Sequence, residues 1–237
     1  SPEDVTASMI LDFFKLYGLI LLSTLVTATL VPIITFSYMK AYQSHAPSEI
    51  SAAMVLKNLG SKFFNLLGFN ILMYIAIIIA MFFLVLPAIY IGIVLSLGSA
   101  IILFEENNPI DTFSRAFTLI KGKWWSTFGL VIVMGIIGYV ISLFFGLPRT
   151  LLFSVKAITT TFSDGDLSAV TQMTTGEQAL SILFSVFETF GSILLYSLSY
   201  IAIAFQYFNL VERRESRGLM SQIEGMDKAA ADDDEHY

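Results

Sequence analysis

Cysteine is absent from the 237 residues, and histidine occurs only twice. The first absence excludes disulfides, thiolate metal sites and a cysteine nucleophile, and it leaves the redox compartment unreadable. The second leaves His45 and His236, both in polar flanks without a partner at ligand spacing, so both read as solvated residues and no metal site is expected. Charge is scarce too: 14% of residues are charged, against roughly 25% in soluble domains. A soluble chain could not coat its surface with so few. Walker loops, dinucleotide fingerprints and nucleophile elbows are also missing, so no cofactor is expected and catalysis has no visible home.

What the chain has in quantity is apolar surface: 56% hydrophobic residues, including 21 Phe. The net charge of −6 is a poor guide to partners, because Asp232, Asp233, Asp234 and Glu235 form a solvated acidic tail. No basic surface for nucleic acid is present. The expected partner is the lipid bilayer, with other membrane-protein subunits as further candidates.

Uncharged runs mark the crossings, since about 20 apolar residues traverse the hydrocarbon and a charge there is costly. Lys15 and Lys40 bound 24 such residues, Lys62 and Glu105 bound 42, and Lys123 and Arg149 bound 25. The run from Glu177 to Glu212 holds 34, with Glu188 as its only charge. The run of 42 suits two crossings, divided at Leu86-Pro87-Ala88-Ile89-Tyr90, where Pro removes a backbone donor and Tyr suits an interface. The fold class expected is an all-α, polytopic membrane bundle of five spans, near 16–39, 64–86, 87–104, 124–146 and 178–208. Residues 1–210 then form one transmembrane domain, and 211–237 a cytoplasmic helix with the acidic tail.

Orientation follows from Lys and Arg. With the C-terminus cytoplasmic, 10 of the 13 basic residues lie inside, leaving Lys15, Arg149 and Lys156 outside, as the positive-inside bias requires. The C-terminus is therefore expected on the cytoplasmic side of the membrane. The N-terminus is then external and begins Ser1-Pro2-Glu3-Asp4 with nothing to export it, so a sixth span upstream is expected.

The connectors carry a pattern of their own. Asn108-Pro109-Ile110-Asp111 reads as a helix start, with an Asn cap, Pro at the first helical position and an acid in the first turn. Ile110, Phe113, Phe117 and Ile120 form an apolar stripe, Gly122 ends the helix, and Trp124 and Trp125 anchor the next span. Shifted back by 62 residues, Pro47, Glu49 and Gly60 face Pro109, Asp111 and Gly122. A third copy is read at Leu210-Val211-Glu212 followed by Leu219, Met220 and Ile223. Each copy is expected to be an amphipathic helix at the cytoplasmic interface.

Pro87-Ala88-Ile89-Tyr90, Leu103-Phe104-Glu105, Ser114-Arg115-Ala116-Phe117 and Lys121-Gly122-Lys123-Trp124-Trp125 together resemble a bacterial multi-pass family. It includes the membrane domain of glycerophosphodiester phosphodiesterases and many stand-alone proteins of unknown function. The resemblance covers residues 20–215, is strongest over 87–125, and rests on structural motifs. It implies a bacterial inner-membrane location, with a cytoplasmic helix and one more span at the N-terminus. No phosphodiesterase domain follows the fifth span, so that activity is not carried over.

Candidate sites are few. Glu188 lies inside the fifth span on one face with Ser181, Ser185, Ser192 and Ser199, and an ionisable group in a span is a functional candidate by default. The competing reading places it at the outer interface, or makes it a structural hydrogen-bonder between helices. Small residues at Ala88, Gly92, Ser96 and Ala100, and at Gly138, Ser142 and Gly146, read as packing stripes. Pro32 frees the carbonyl of Ala28 and should kink the first span. Leu151, Val155, Ile158 and Phe162 read as a separate helix on the outer leaflet, closed by Asp164-Gly165-Asp166. Phe113, Phe117, Arg115, Trp124 and Trp125 mark an interfacial or partner-binding surface.

These observations favour a non-enzymatic scaffold or accessory subunit of a membrane complex. A small transporter or lipid-handling protein using Glu188 is the second reading, and the membrane partner of a separate lipid hydrolase is the third.

Overall fold

Among the described residues, five helical stretches are long and apolar enough to cross a bilayer: Ser8–Tyr42, Leu59–Phe83, Val85–Glu105, Trp124–Thr160 and Thr175–Glu215. They belong to a computed structural model that describes residues 2–57, 59–83, 85–163 and 173–216, and the described residues form helices and short connectors with no strand. Large apolar side chains such as Leu21, Ile78, Phe82, Leu86 and Ile136 stand exposed on these stretches, a surface that only hydrocarbon can cover at this density. The chain is an all-α, multi-pass membrane protein. The Asp164-Gly165-Asp166 turn, the third repeat at Leu219, Met220 and Ile223, the acidic tail and His236 lie outside the described residues.

In chain order the elements are α1 (Pro2–Tyr42), a 3-10 turn (Pro47–Glu49), α2 (Ala52–Val55), α3 (Leu59–Phe83), α4 (Val85–Leu95), α5 (Gly98–Glu105), α6 (Pro109–Ile120), α7 (Trp124–Ser163) and α8 (Thr175–Glu215). They divide into two compact units, one of Ser1–Phe128 with Tyr200–Tyr237, the other of Gly129–Ser199.

In the first unit α3 packs against α1, α4, α5 and α6. α4 and α5 together make the third crossing, the best buried of the five, with a turn at Ser96 and Leu97 between them. The core holds Ile33, Phe36, Leu66, Phe69, Ile101 and Tyr207. Gly98 is where α5 meets α3: a Cβ there would run into the Phe69 ring, so any side chain would push the two helices apart. The second and third crossings separate between Phe83 and Val85, a little ahead of the Leu86–Tyr90 stretch expected from sequence. Pro87 sits third in α4, where a missing N–H costs no helical bond.

Asn108 caps α6 as expected, its Oδ1 accepting the Asp111 N–H at 2.9 Å while its amide donates to the Asp111 carboxylate at 2.6 Å. Gly122 follows the helix with φ of 77°, the left-handed conformation that a stop at this position needs. The buried face, however, is Thr112, Ala116, Leu119 and Ile120. Small Thr112 and Ala116 let the helix backbone approach the bundle, so Phe113 is half-buried at the edge and Ile110 and Phe117 are turned outward.

The earlier connector does not repeat this helix. It is broken into the 3-10 turn and one turn of α2 capped by Ser51, and Gly60 lies inside α3 rather than after a helix. Ile50 and Ser51 adopt extended backbone between the two turns, which stops a single helix from forming across residues 48–59. The 62-residue correspondence is therefore one of composition, not of conformation.

The second unit is an antiparallel pair. Rising positions on α7 meet falling positions on α8: Gly138 faces Leu195, Phe145 packs on Gly191 and Phe187, Arg149 pairs with Glu188, and Lys156 pairs with Glu177. The start of α8 is a reciprocal capping box, the Thr174 hydroxyl accepting the Glu177 N–H at 3.3 Å and the Glu177 carboxylate accepting the Thr174 N–H at 2.7 Å. The separate outer helix expected after Leu147 is instead the continuation of α7, which runs unbroken to Ser163 with Pro148 inside it. Proline there costs one helical hydrogen bond, whereas continuing the helix brings Arg149 and Lys156 onto their carboxylates.

Candidate functional site

The residues singled out from sequence fall into two groups. Arg115, Phe113, Phe117, Trp124 and Trp125 gather in the first unit, and Glu188, Ser185 and Ser192 lie in the second.

Arg115 is the centre of the first group. Its Nε donates to both Glu105 oxygens at 3.0 and 2.8 Å, and its Nη2 donates to Glu105 Oε1 at 2.7 Å and pairs with Glu215 at 2.5 Å. The Tyr207 hydroxyl adds a donor to Glu105 at 2.9 Å. One guanidinium thus ties together the end of α5, the middle of α6 and the last residue of α8. The pair is well covered, with 22% of the Arg115 side chain and 13% of Glu105 exposed. Hydrogen bonding to Glu105 above all, then to Glu215, and the charge of both carboxylates push the Arg115 pKa further above its ordinary value, against the opposing effect of burial. The planar fork of arginine fits a bidentate carboxylate in a way that lysine cannot.

Aromatic residues pack along α6 and at the start of α7. Phe113 meets Phe69 edge-on at 5.4 Å, and Phe117 approaches Tyr90 at 6.4 Å. Trp124 stacks on Tyr90 and Phe128, and its indole N–H donates to the Tyr90 carbonyl at 3.3 Å. Trp125 stands 76% exposed and Ile110 74% exposed. The assembly is a platform edged by large exposed apolar side chains.

Glu188 has found a basic partner. Arg149 Nη1 donates to its Oε2 at 3.2 Å, and the two side chains are 45% and 39% exposed. The pair is thus substantially exposed rather than desolvated. The serine face is occupied by its own helix: Ser185, Ser192 and Ser199 each donate to the carbonyl four residues back, at 2.8, 2.9 and 3.0 Å. Among the described residues, no group of three or more His, Cys, Asp or Glu is arranged to hold a metal ion.

Two buried amides were missed in the sequence. Asn70 donates to the Ala28 carbonyl at 3.3 Å and to Thr29 Oγ1 at 3.1 Å, and Gln206 donates to Thr127 Oγ1 at 3.0 Å. An amide in the middle of an apolar run was the signal available for each.

Comparison with known proteins gives one finding. Residues 13–198 match a family described as a domain of unknown function (DUF7847), a description that names no phosphodiesterase activity. Neither the curated proteins nor the solved structures include a match. The family match takes in both units and well over half of the sequence, and the chain belongs to this family of unknown function.

Proposed function

We propose that this protein is a non-enzymatic scaffold or accessory subunit of a membrane complex, seated in a bacterial inner membrane with its C-terminal end in the cytoplasm. The observation that carries this reading is the α6 platform. A helix held by a partly buried Arg115–Glu105 pair keeps its position, while Ile110, Phe117 and Trp125 beside it remain uncovered. An apolar edge rimmed by polar residues is the pattern of a docking surface. The excess of Lys and Arg in the connectors on this side supports its cytoplasmic placement. Purification from native membranes in mild detergent tests the function. Wild type should elute with a stoichiometric protein partner, and the Ile110→Asp/Phe117→Asp double variant should elute alone with its helix content intact. A wild-type protein carrying only lipid contradicts the reading. Orientation is checked separately: Ser163→Cys should label from outside and Ser216→Cys should not.

The resemblance noted over residues 87–125 supports a lipid hydrolase as one class of partner. A second reading, a small lipid-handling or transport protein, is favoured by the Arg149–Glu188 pair. It lies in sequence beside an apolar groove of about 590 Å³ lined by Pro148, Leu183 and Phe187. Flux or lipid transfer in vesicles that is lost on Glu188→Gln would select this reading over the first.

A further inference from the structure

Three helix ends of the first unit meet around charge that is not balanced. A cavity of about 230 Å³ is walled by Ser61, Lys62 and Asn65 of α3 and by Ile102, Leu103 and Glu106 at the end of α5. Lys62 is half-buried, and its ammonium donates to the neutral Ser37 hydroxyl at 3.1 Å. The carboxylate on the cavity wall, Glu106, is engaged by Lys40 at 3.1 Å. Among these described residues two cations and one anion leave a net positive charge, and a half-buried cation such as Lys62 is costly without a counter-ion.

Two further features point the same way. Lys62 is the fourth residue of a 25-residue helix, so the positive end of the α3 dipole adds to its field. Glu106 adopts a left-handed conformation, φ 59°, at a position without glycine, and the turn it makes builds the cavity wall. Such a conformation is strained and persists where surrounding structure holds it. Lys40 lies in the last turn of α1, Lys62 in the first turns of α3 and Glu106 just beyond α5. Helix ends of this kind lie at the depth of lipid headgroups, and basic pockets there take phosphate.

We propose that this cavity binds a single phosphate group, with Lys62 as its cation and the Asn65 amide as a donor. The source is the phosphodiester of a membrane lipid or free phosphate. The volume suits a headgroup, and acyl chains would lie outside it along the exposed apolar faces of the helices.

Binding in detergent to three probes tests this: dihexanoyl phosphatidylglycerol, dihexanoylglycerol without phosphate, and inorganic phosphate. Phosphatidylglycerol should bind and dihexanoylglycerol should not. Lys62→Gln should weaken binding about tenfold, Lys62→Arg should largely restore it, and Glu106→Gln should leave it equal or tighter. Inorganic phosphate binding as tightly as the lipid assigns the site to free phosphate, and binding of the lipid alone assigns it to a headgroup. Should Lys62→Gln fail to fold, Asn65→Leu at the exposed rim replaces it, with a severalfold loss expected. Equal binding of the two lipids, no binding of either phosphate probe, or undiminished affinity in the folded variant would overturn the proposal.

Discussion

The side-chain amide of Asn70 donates to the carbonyl oxygen of Ala28 at 3.3 Å, the carbonyl that Pro32 leaves without its helical partner. The Tyr200 hydroxyl reaches the same oxygen at 3.5 Å. A proline inside a span is tolerated when neighbouring helices take up the freed group, and here α3 and α8 both do. Asn70 also holds Thr29, so the contact locks α1 to α3 near the middle of the first unit.

Asn70→Leu should therefore lower stability by about 1 kcal/mol in detergent unfolding. The loss should shrink when Pro32→Ala is already present, because alanine at that position supplies the backbone N–H that the Ala28 carbonyl lacks. A double-mutant cycle reads this coupling directly, and a coupling of zero would count against the pairing.

Arg115→Ala should cost about 3 kcal/mol, since it leaves Glu105 covered with its main partner gone. Arg115→Lys should recover only part of this, keeping the charge without the fork. The raised pKa of Arg115 fixes the sign of the pH effect. Its contribution is fully present below the unfolded arginine's pKa and is lost only as pH rises through the still higher folded value. The stability gap between wild type and Arg115→Ala should stay flat from neutral to mildly alkaline pH, as thermal unfolding can measure.

Glu188→Gln should change stability by less than about 1 kcal/mol, because the pair with Arg149 is substantially exposed and screened. Ser185→Ala and Ser192→Ala should be nearly silent, since each hydroxyl serves its own helix backbone. A large loss of stability in any of these variants would place the face at a buried helix contact instead.

Much of the architecture was legible because its cause is local. Uncharged runs between lysines, arginines and glutamates mark five crossings, and Asn108, Pro109 and Gly122 mark the ends of α6 through their own backbone chemistry. Partners across the fold were not legible. Arg115 reads as one cation on an amphipathic helix until α5 and α8 bring Glu105, Tyr207 and Glu215 to it. Asn70 and Gln206 carry no charge and so left the hydropathy signal of their spans intact. The continuation of α7 past Pro148 was hidden for a related reason: its compensation comes from Glu188 and Glu177 on another helix.

Site-specific photo-crosslinking in intact native membranes tests the scaffold reading most directly. A photoreactive residue replacing Phe117 probes the α6 platform, and one replacing Ile136 on α7 probes an apolar face exposed in the same way. Position 117 should give one discrete protein adduct, with Arg115→Ala reducing it severalfold as the pair with Glu105 is lost, while position 136 gives lipid adducts. Lipid adducts alone at both positions would contradict the account, making α6 a helix that rests in the headgroup layer without a protein partner.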